Sequence, residues 1–140
     1  PSRLWKSFAS QMVDHALSEG IEAIVFLGAM LADVPHSRPV KVTCTSDDQA
    51  IRDHFDIEKS GYEGPVGVLT VLSLAAAEAG IPSLHLWAHV PHYVHTSPSP
   101  KVTLALLEEL ENRVGITTDR TDLELEAMRW EALRRPRVAS

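Results

Sequence analysis

The chain has 140 residues and a formal net charge of −6, thirteen Lys and Arg standing against nineteen Asp and Glu. With 44% hydrophobic and 23% charged residues it has the balance of one ordinary globular domain, and nothing forms the basic stripe that nucleic acid would require. No apolar run approaches the ~20 residues needed to span a bilayer, so a membrane is not expected as a partner either.

Residues 3–18 place Leu4, Trp5, Phe8, Met12 and Ala16 on one helical face, and Gly20 is positioned to end that helix. Ile21 to Gly28 reads as a short buried strand, followed by a loop over 28–39. Val40 to Thr45 alternates apolar and polar residues, as a half-buried strand does. Within it the single cysteine, Cys44, reads as a small core residue, and a reduced, cytoplasmic setting follows as the default. Ser46-Asp47-Asp48-Gln49 has the form of a capping box and predicts a short helix through Phe55.

Pro65 suits the first position of a helix over 65–79 that is apolar nearly all round, which predicts burial on several sides. Gly80 closes it, and Ile81 to Ala88 is the third strand. Leu106, Leu107, Leu110 and Val114 mark an amphipathic helix ending at Gly115. Thr121-Asp122-Leu123-Glu124 resembles a second capping box, leading a last helix with Leu123, Ala127 and Trp130 on one face. The pattern divides into a core over 1–115 and a helical extension of the same domain over 116–140. Five helices against three strands is lopsided, since sheets usually have about 4–6 strands. Further strands, from a preceding segment or a partner chain, are therefore expected to complete the sheet.

The tripeptide Val-Pro-His occurs at Val34-Pro35-His36 and again at Val90-Pro91-His92, each time just past an apolar run. If those runs are neighbouring parallel strands, both turns lie at strand C-terminal ends, where open α/β sheets bind ligands. Proline stiffens each turn and so fixes where its histidine is presented. Asp33, His36 and Arg38 crowd the first turn, and a guanidinium beside an imidazole suits a phosphate or carboxylate. The same Asp and Arg could equally satisfy each other and the backbone. Gly28 opens that loop.

Gly64 and Gly67 flank the start of the apolar helix and would allow an anion to approach free amides, or simply tight packing. His92 and Tyr93 are placed to line the same crevice. Lys101, at a helix start where the dipole disfavours a cation, is expected to reach an anion or a carboxylate such as Glu63, or to remain solvated. His85, His89, His92 and His95 crowd eleven residues, yet Pro91 breaks the run and no thiolate set accompanies them, so no metal is expected. Ser37, Ser60, Ser73 and Cys44 lack an activating frame, so no catalytic residue is assigned.

Trp5 and Phe8, Gly28-Ala29, Asp33-Val-Pro-His-Ser-Arg-Pro39, Tyr62-Glu-Gly-Pro-Val-Gly67, Trp87-Ala-His-Val-Pro-His-Tyr93, and Ser99-Pro-Lys101 leading into Ala105-Leu-Leu together resemble the proteasome assembly chaperone 2 family in its bacterial, actinobacterial-type branch. The likeness covers nearly the whole chain. It implies a three-layer α/β/α sandwich with a mostly parallel sheet, similar to the purine nucleoside phosphorylase-like fold, of which this chain is a fragment. It also implies a cytoplasmic, homo-oligomeric, non-enzymatic protein that binds protein partners such as proteasome subunits and carries no cofactor. The alternative is an enzyme, or a binder of a small anionic ligand of the nucleotide or phosphate type, using the crevice made by Gly28, Asp33, His36, Arg38, Gly64, Gly67, His92, Tyr93 and Lys101.

Overall fold

The computed structural model describes residues 2–35, 37–59, 67–92 and 99–134. In chain order these form α1 (Ser2–Ser18), β1 (Ile24–Ala32), β2 (Val42–Thr45), α2 (Gln49–Phe55), α3 (Val68–Glu78), β3 (Ser83–Pro91), α4 (Pro100–Val114) and α5 (Thr121–Arg134). The fold is thus mixed α/β, with five helices and one three-stranded sheet among the described residues. The strand order is β1-β3-β2, which makes the last strand in sequence the central one.

Two compact units divide the chain, Pro1–Phe26 with Cys44–His85 and Leu27–Thr43 with Leu86–Ser140. In the first, the α1 stripe Ala9, Val13 and Ala16 is buried against Leu72 and Ala76 of α3, with Phe26 and Ile81. Spacings of four and three residues put those α1 positions on one side of the helix, and their small size lets α1 and α3 approach closely. Both helices end in the same way. Gly20 and Gly80 take left-handed backbones (φ +69° and +82°), a conformation that costs glycine nothing. The following amides, Ile21 N–H and Ile81 N–H, then donate to the Ala16 and Ala76 carbonyls at 2.9 and 2.8 Å, satisfying groups the helix ends would leave open.

The second unit is built on Ala88, Val90, Val102 and Trp130, with Val40, Val42 and Leu106 against them. Here α4 and α5 pack together. The turn between them is pinned by Glu111, whose Oε1 accepts from the amide and hydroxyl of Thr118 at 2.7 and 2.6 Å. Arg120 reaches Glu108 and Glu111, both at 3.4 Å. The Thr118 donors, helped by Arg120, hold the Glu111 carboxyl below its ordinary range.

Several boundaries differ from the sequence expectation. The loop predicted from residue 28 begins only after Ala32, because β1 runs on through Ala29-Met30-Leu31-Ala32. Those residues have no strong strand preference of their own and are held extended as part of the sheet. Likewise β3 extends past Ala88 and takes Val90-Pro91 as its final residues. Proline is tolerated there because a strand terminus need not donate to the ladder. Helix α2 is capped by Asp48, which accepts from Ile51 N–H at 3.0 Å, two residues later than the predicted box. The Ser46 hydroxyl is engaged by the Ser83 carbonyl instead. Burial of α3 is one-sided: Leu72, Ser73 and Ala76 are covered, whereas Leu74 is 58% exposed. Its all-round apolar composition therefore exceeds the cover that the described residues provide.

Candidate functional site

The central strand β3 sets the geometry. Leu84, Leu86, Ala88 and Val90 are buried, and the residues between them, His85, Trp87 and His89, share the opposite face. Trp87 lies over Gly28: a Cβ built there would meet its six-membered ring at 2.5 Å. Gly28 is thus accounted for by the indole that occupies its side-chain space. His89 Nε2 lies 2.6 Å from Thr43 Oγ1, and its amide donates to the Lys41 carbonyl at 2.9 Å. Burial, together with the Lys41 charge, holds the His89 imidazole below its usual range.

Within the second unit, the residues on either side of the two Val-Pro turns do come together. Val34, Pro35, Arg38 and Pro39 of the first turn and His89 and Pro91 of the second line one cleft, closed by Lys101, Val102 and Trp130. Its volume is about 10 Å³, room for roughly one water. Lys101 donates to the Arg38 carbonyl at 2.8 Å and pairs with Glu131 at 3.5 Å. Of the two expectations for Lys101, an anionic partner or a solvated ammonium, the pairing with Glu131 of α5 matches the first, and Glu63 lies outside the described residues. Asp33 is exposed at a bend just after β1, and His92 is exposed just past β3. Gly67 belongs to the first unit, where it is the exposed N-cap residue of α3. His36, Gly64 and Tyr93 lie outside the described residues. Of the candidate crevice residues, then, Arg38 and Lys101 are brought together.

The first unit holds a polar cluster that no motif announces. Ser73 Oγ lies 2.9 Å from Ser83 Oγ and 3.2 Å from His85 Nε2, and the His85 ring stacks on Phe26 with centroids 4.8 Å apart. Ser46 donates its hydroxyl to the Ser83 carbonyl at 2.5 Å and accepts from Asp48 N–H at 3.1 Å. All three serines are buried, and each hydroxyl is satisfied by its neighbours, as burial requires. Desolvation lowers the affinity of His85 for a proton; nearby Asp47 offsets this only in part. Beside the cluster is a cleft of about 180 Å³ walled by Asp47, Asp48, Leu74 and Pro82. No group of three metal-ligating side chains occurs among the described residues.

The PAC2 family model matches residues 1–135. Among solved structures, a PAC2 family protein from Streptomyces avermitilis is 41% identical, with 91% of this chain and 55% of that chain aligned at a TM-score of 0.87. A proteasome-assembly chaperone homologue from Mycobacterium tuberculosis is 36% identical over 97% of this chain and 58% of its own, with a TM-score of 0.84. The Pyrococcus furiosus protein PbaA, an archaeal homologue of proteasome-assembly chaperone, shares the fold at 21% identity, with 96% of this chain and 57% of that chain aligned at a TM-score of 0.76. The chain spans between half and two thirds of the length of these three proteins. Comparison with functionally curated proteins finds no match. By the family match along almost its entire length, the chain belongs to the PAC2 family.

Proposed function

We propose that this protein is a non-enzymatic assembly factor whose ligands are other protein chains, in the manner of chaperones that guide proteasome α-subunits into rings. The observation that carries this reading is the 36% identity to the mycobacterial proteasome-assembly chaperone homologue across 97% of the chain. The chemistry agrees. The buried serines and His85 satisfy one another, and the cleft between the Val-Pro turns has room for only about one water. In this reading the protein works in the cytoplasm with its clients.

In this reading the protein works as a homo-oligomer, within a three-layer α/β/α sandwich of the nucleoside phosphorylase-like type. Further strands complete the mostly parallel sheet at β1, which is an edge strand of the order β1-β3-β2. Leu27, Met30 and Leu31 of β1 are exposed and uncharged, and such an edge calls for cover. The test is co-purification of the chain with purified proteasome α-subunits, with β-subunits as the control. A stable complex with α-subunits alone is expected, and equal recovery of both, or of neither, would refute the proposal.

A second reading is favoured by one observation: Pro35, Arg38, Pro91 and Lys101 line the same cleft, which places two cationic side chains at the meeting point of the turns. That cleft would hold a small anion, with Asp33, His36, His92 and Tyr93, close in sequence to its lining residues, as further candidates. Titration with phosphate, nucleosides and nucleotides, read as a rise in Tm that Arg38→Ala and His36→Ala abolish, distinguishes it from the first.

A further inference from the structure

We infer that the cleft beside the buried serines is a binding site for a small aliphatic amine, held by its ammonium group; this goes beyond the protein-partner reading and does not depend on it. The cleft lies within the first unit and has a volume of about 180 Å³. An engineered apolar cavity of roughly 150 Å³ holds a benzene molecule, so a ligand of that size fits. The lining combines two chemistries. Leu74, Ala77 and Pro82 give an apolar wall, while Asp47, Asp48 and the hydroxyl-bearing Ser73 and Ser83 give polar groups that converge on it. A mostly apolar cleft with a few placed polar groups is the usual make-up of a small-molecule site.

The polar groups fix the class of ligand. Asp48 accepts from Ile51 N–H at 3.0 Å as it caps α2, which holds that carboxylate in place. Asp47 is exposed, and among the described residues neither carboxylate forms an ion pair. The Asp47 charge reaches inward, where it favours the protonated form of His85 behind Ser73. Ser73 and Ser83 lie 2.9 Å apart, so one hydroxyl donates to the other, and each oxygen carries two lone pairs. A site so rich in acceptors suits an ammonium, which has three N–H donors and no acceptor, whereas an anion would be repelled. The aliphatic stem then covers Leu74, which is 58% exposed.

The experiment is a calorimetric titration of the 140-residue chain with n-butylammonium chloride at constant ionic strength. Tetramethylammonium chloride is the control, because it keeps the charge and lacks both the N–H donors and the stem. Two variants are compared with the unmodified protein: Asp47→Asn combined with Asp48→Asn, in which asparagine still caps α2, and Ala77→Phe, an exposed position on α3 whose larger side chain fills the cleft. Circular dichroism melts check that each is folded. Saturable binding of one n-butylammonium per chain is expected. The double asparagine variant should weaken it about tenfold, the combined worth of two partly exposed ion pairs, and Ala77→Phe should abolish it. Absence of binding to the unmodified protein, equal binding of tetramethylammonium, or an affinity unchanged in either variant would overturn the site. None of these results would bear on co-purification with α-subunits, so the two readings fail separately.

Discussion

Replacing Gly28 by alanine is the sharpest test of how β1 and β3 fit together. The Gly28 backbone is not left-handed, so alanine meets no conformational barrier there, and in open space it would stabilise a strand by roughly 0.5–1 kcal/mol. The added Cβ, however, would approach Trp87 Cζ3 at 2.5 Å and Cε3 at 2.7 Å, against about 3.4 Å or more for an ordinary contact. The indole must retreat by about 1 Å, and forcing a methyl group into occupied space of this kind costs about 1–3 kcal/mol. A net loss of about 1–2 kcal/mol is expected for Gly28→Ala, measured by urea unfolding. With Trp87→Leu in the background the clash disappears, and Gly28→Ala should become neutral or slightly stabilising, a coupling of about 1–3 kcal/mol in the double-mutant cycle. Additive effects, or a Gly28→Ala protein as stable as the parent, would refute the packing argument.

Three further outcomes follow from the polar contacts. His85 binds a proton less readily when folded than the ordinary imidazole value near 6.5, because burial disfavours the charged form. The unfolded chain therefore takes up protons first as pH falls, so stability is full above about pH 6.5 and declines on acidification. His85→Gln should remove His85's share of that decline, leaving the part due to His89, and an unchanged pH profile would contradict it. Ser83→Ala should cost about 1–2 kcal/mol in urea unfolding by leaving Ser73 without its hydroxyl partner, while the Ser46 bond to the Ser83 carbonyl persists. Glu111→Gln should raise amide exchange at Thr118, whose N–H it accepts, without changing exchange in α1; equal protection in both proteins would show that the turn is held otherwise.

Helices α1, α4 and α5 were readable because their apolar residues recur at helical spacing and glycines stand at the ends of α1 and α4, although the stripe expected for α1 leaves Leu4, Phe8 and Met12 exposed and it is Ala9, Val13 and Ala16 that are buried. The last four residues of β1 were not, since Ala29 to Ala32 acquire their extended form from the neighbouring strand rather than from their own preferences. Doubling of the Val-Pro-His tripeptide drew attention to two turns whose prolines, Pro35 and Pro91, line one cleft, while His36 lies outside the described residues. Glu131, which pairs with Lys101, was hidden because a carboxylate on a distant helix carries no local signature. Ser73, Ser83 and His85 were equally hidden; their hydrogen bonds depend on how α3 and β3 meet, which no spacing rule encodes.

The proposed role requires this chain to act on protein partners. Native mass spectrometry of the purified chain mixed with purified proteasome α-subunits examines that requirement without intermediaries. A discrete complex containing both is expected, formed in the absence of any added small molecule and unaffected by Lys101→Met. Spectra showing only the separate components, under conditions where the α-subunits remain competent to form rings, would contradict it.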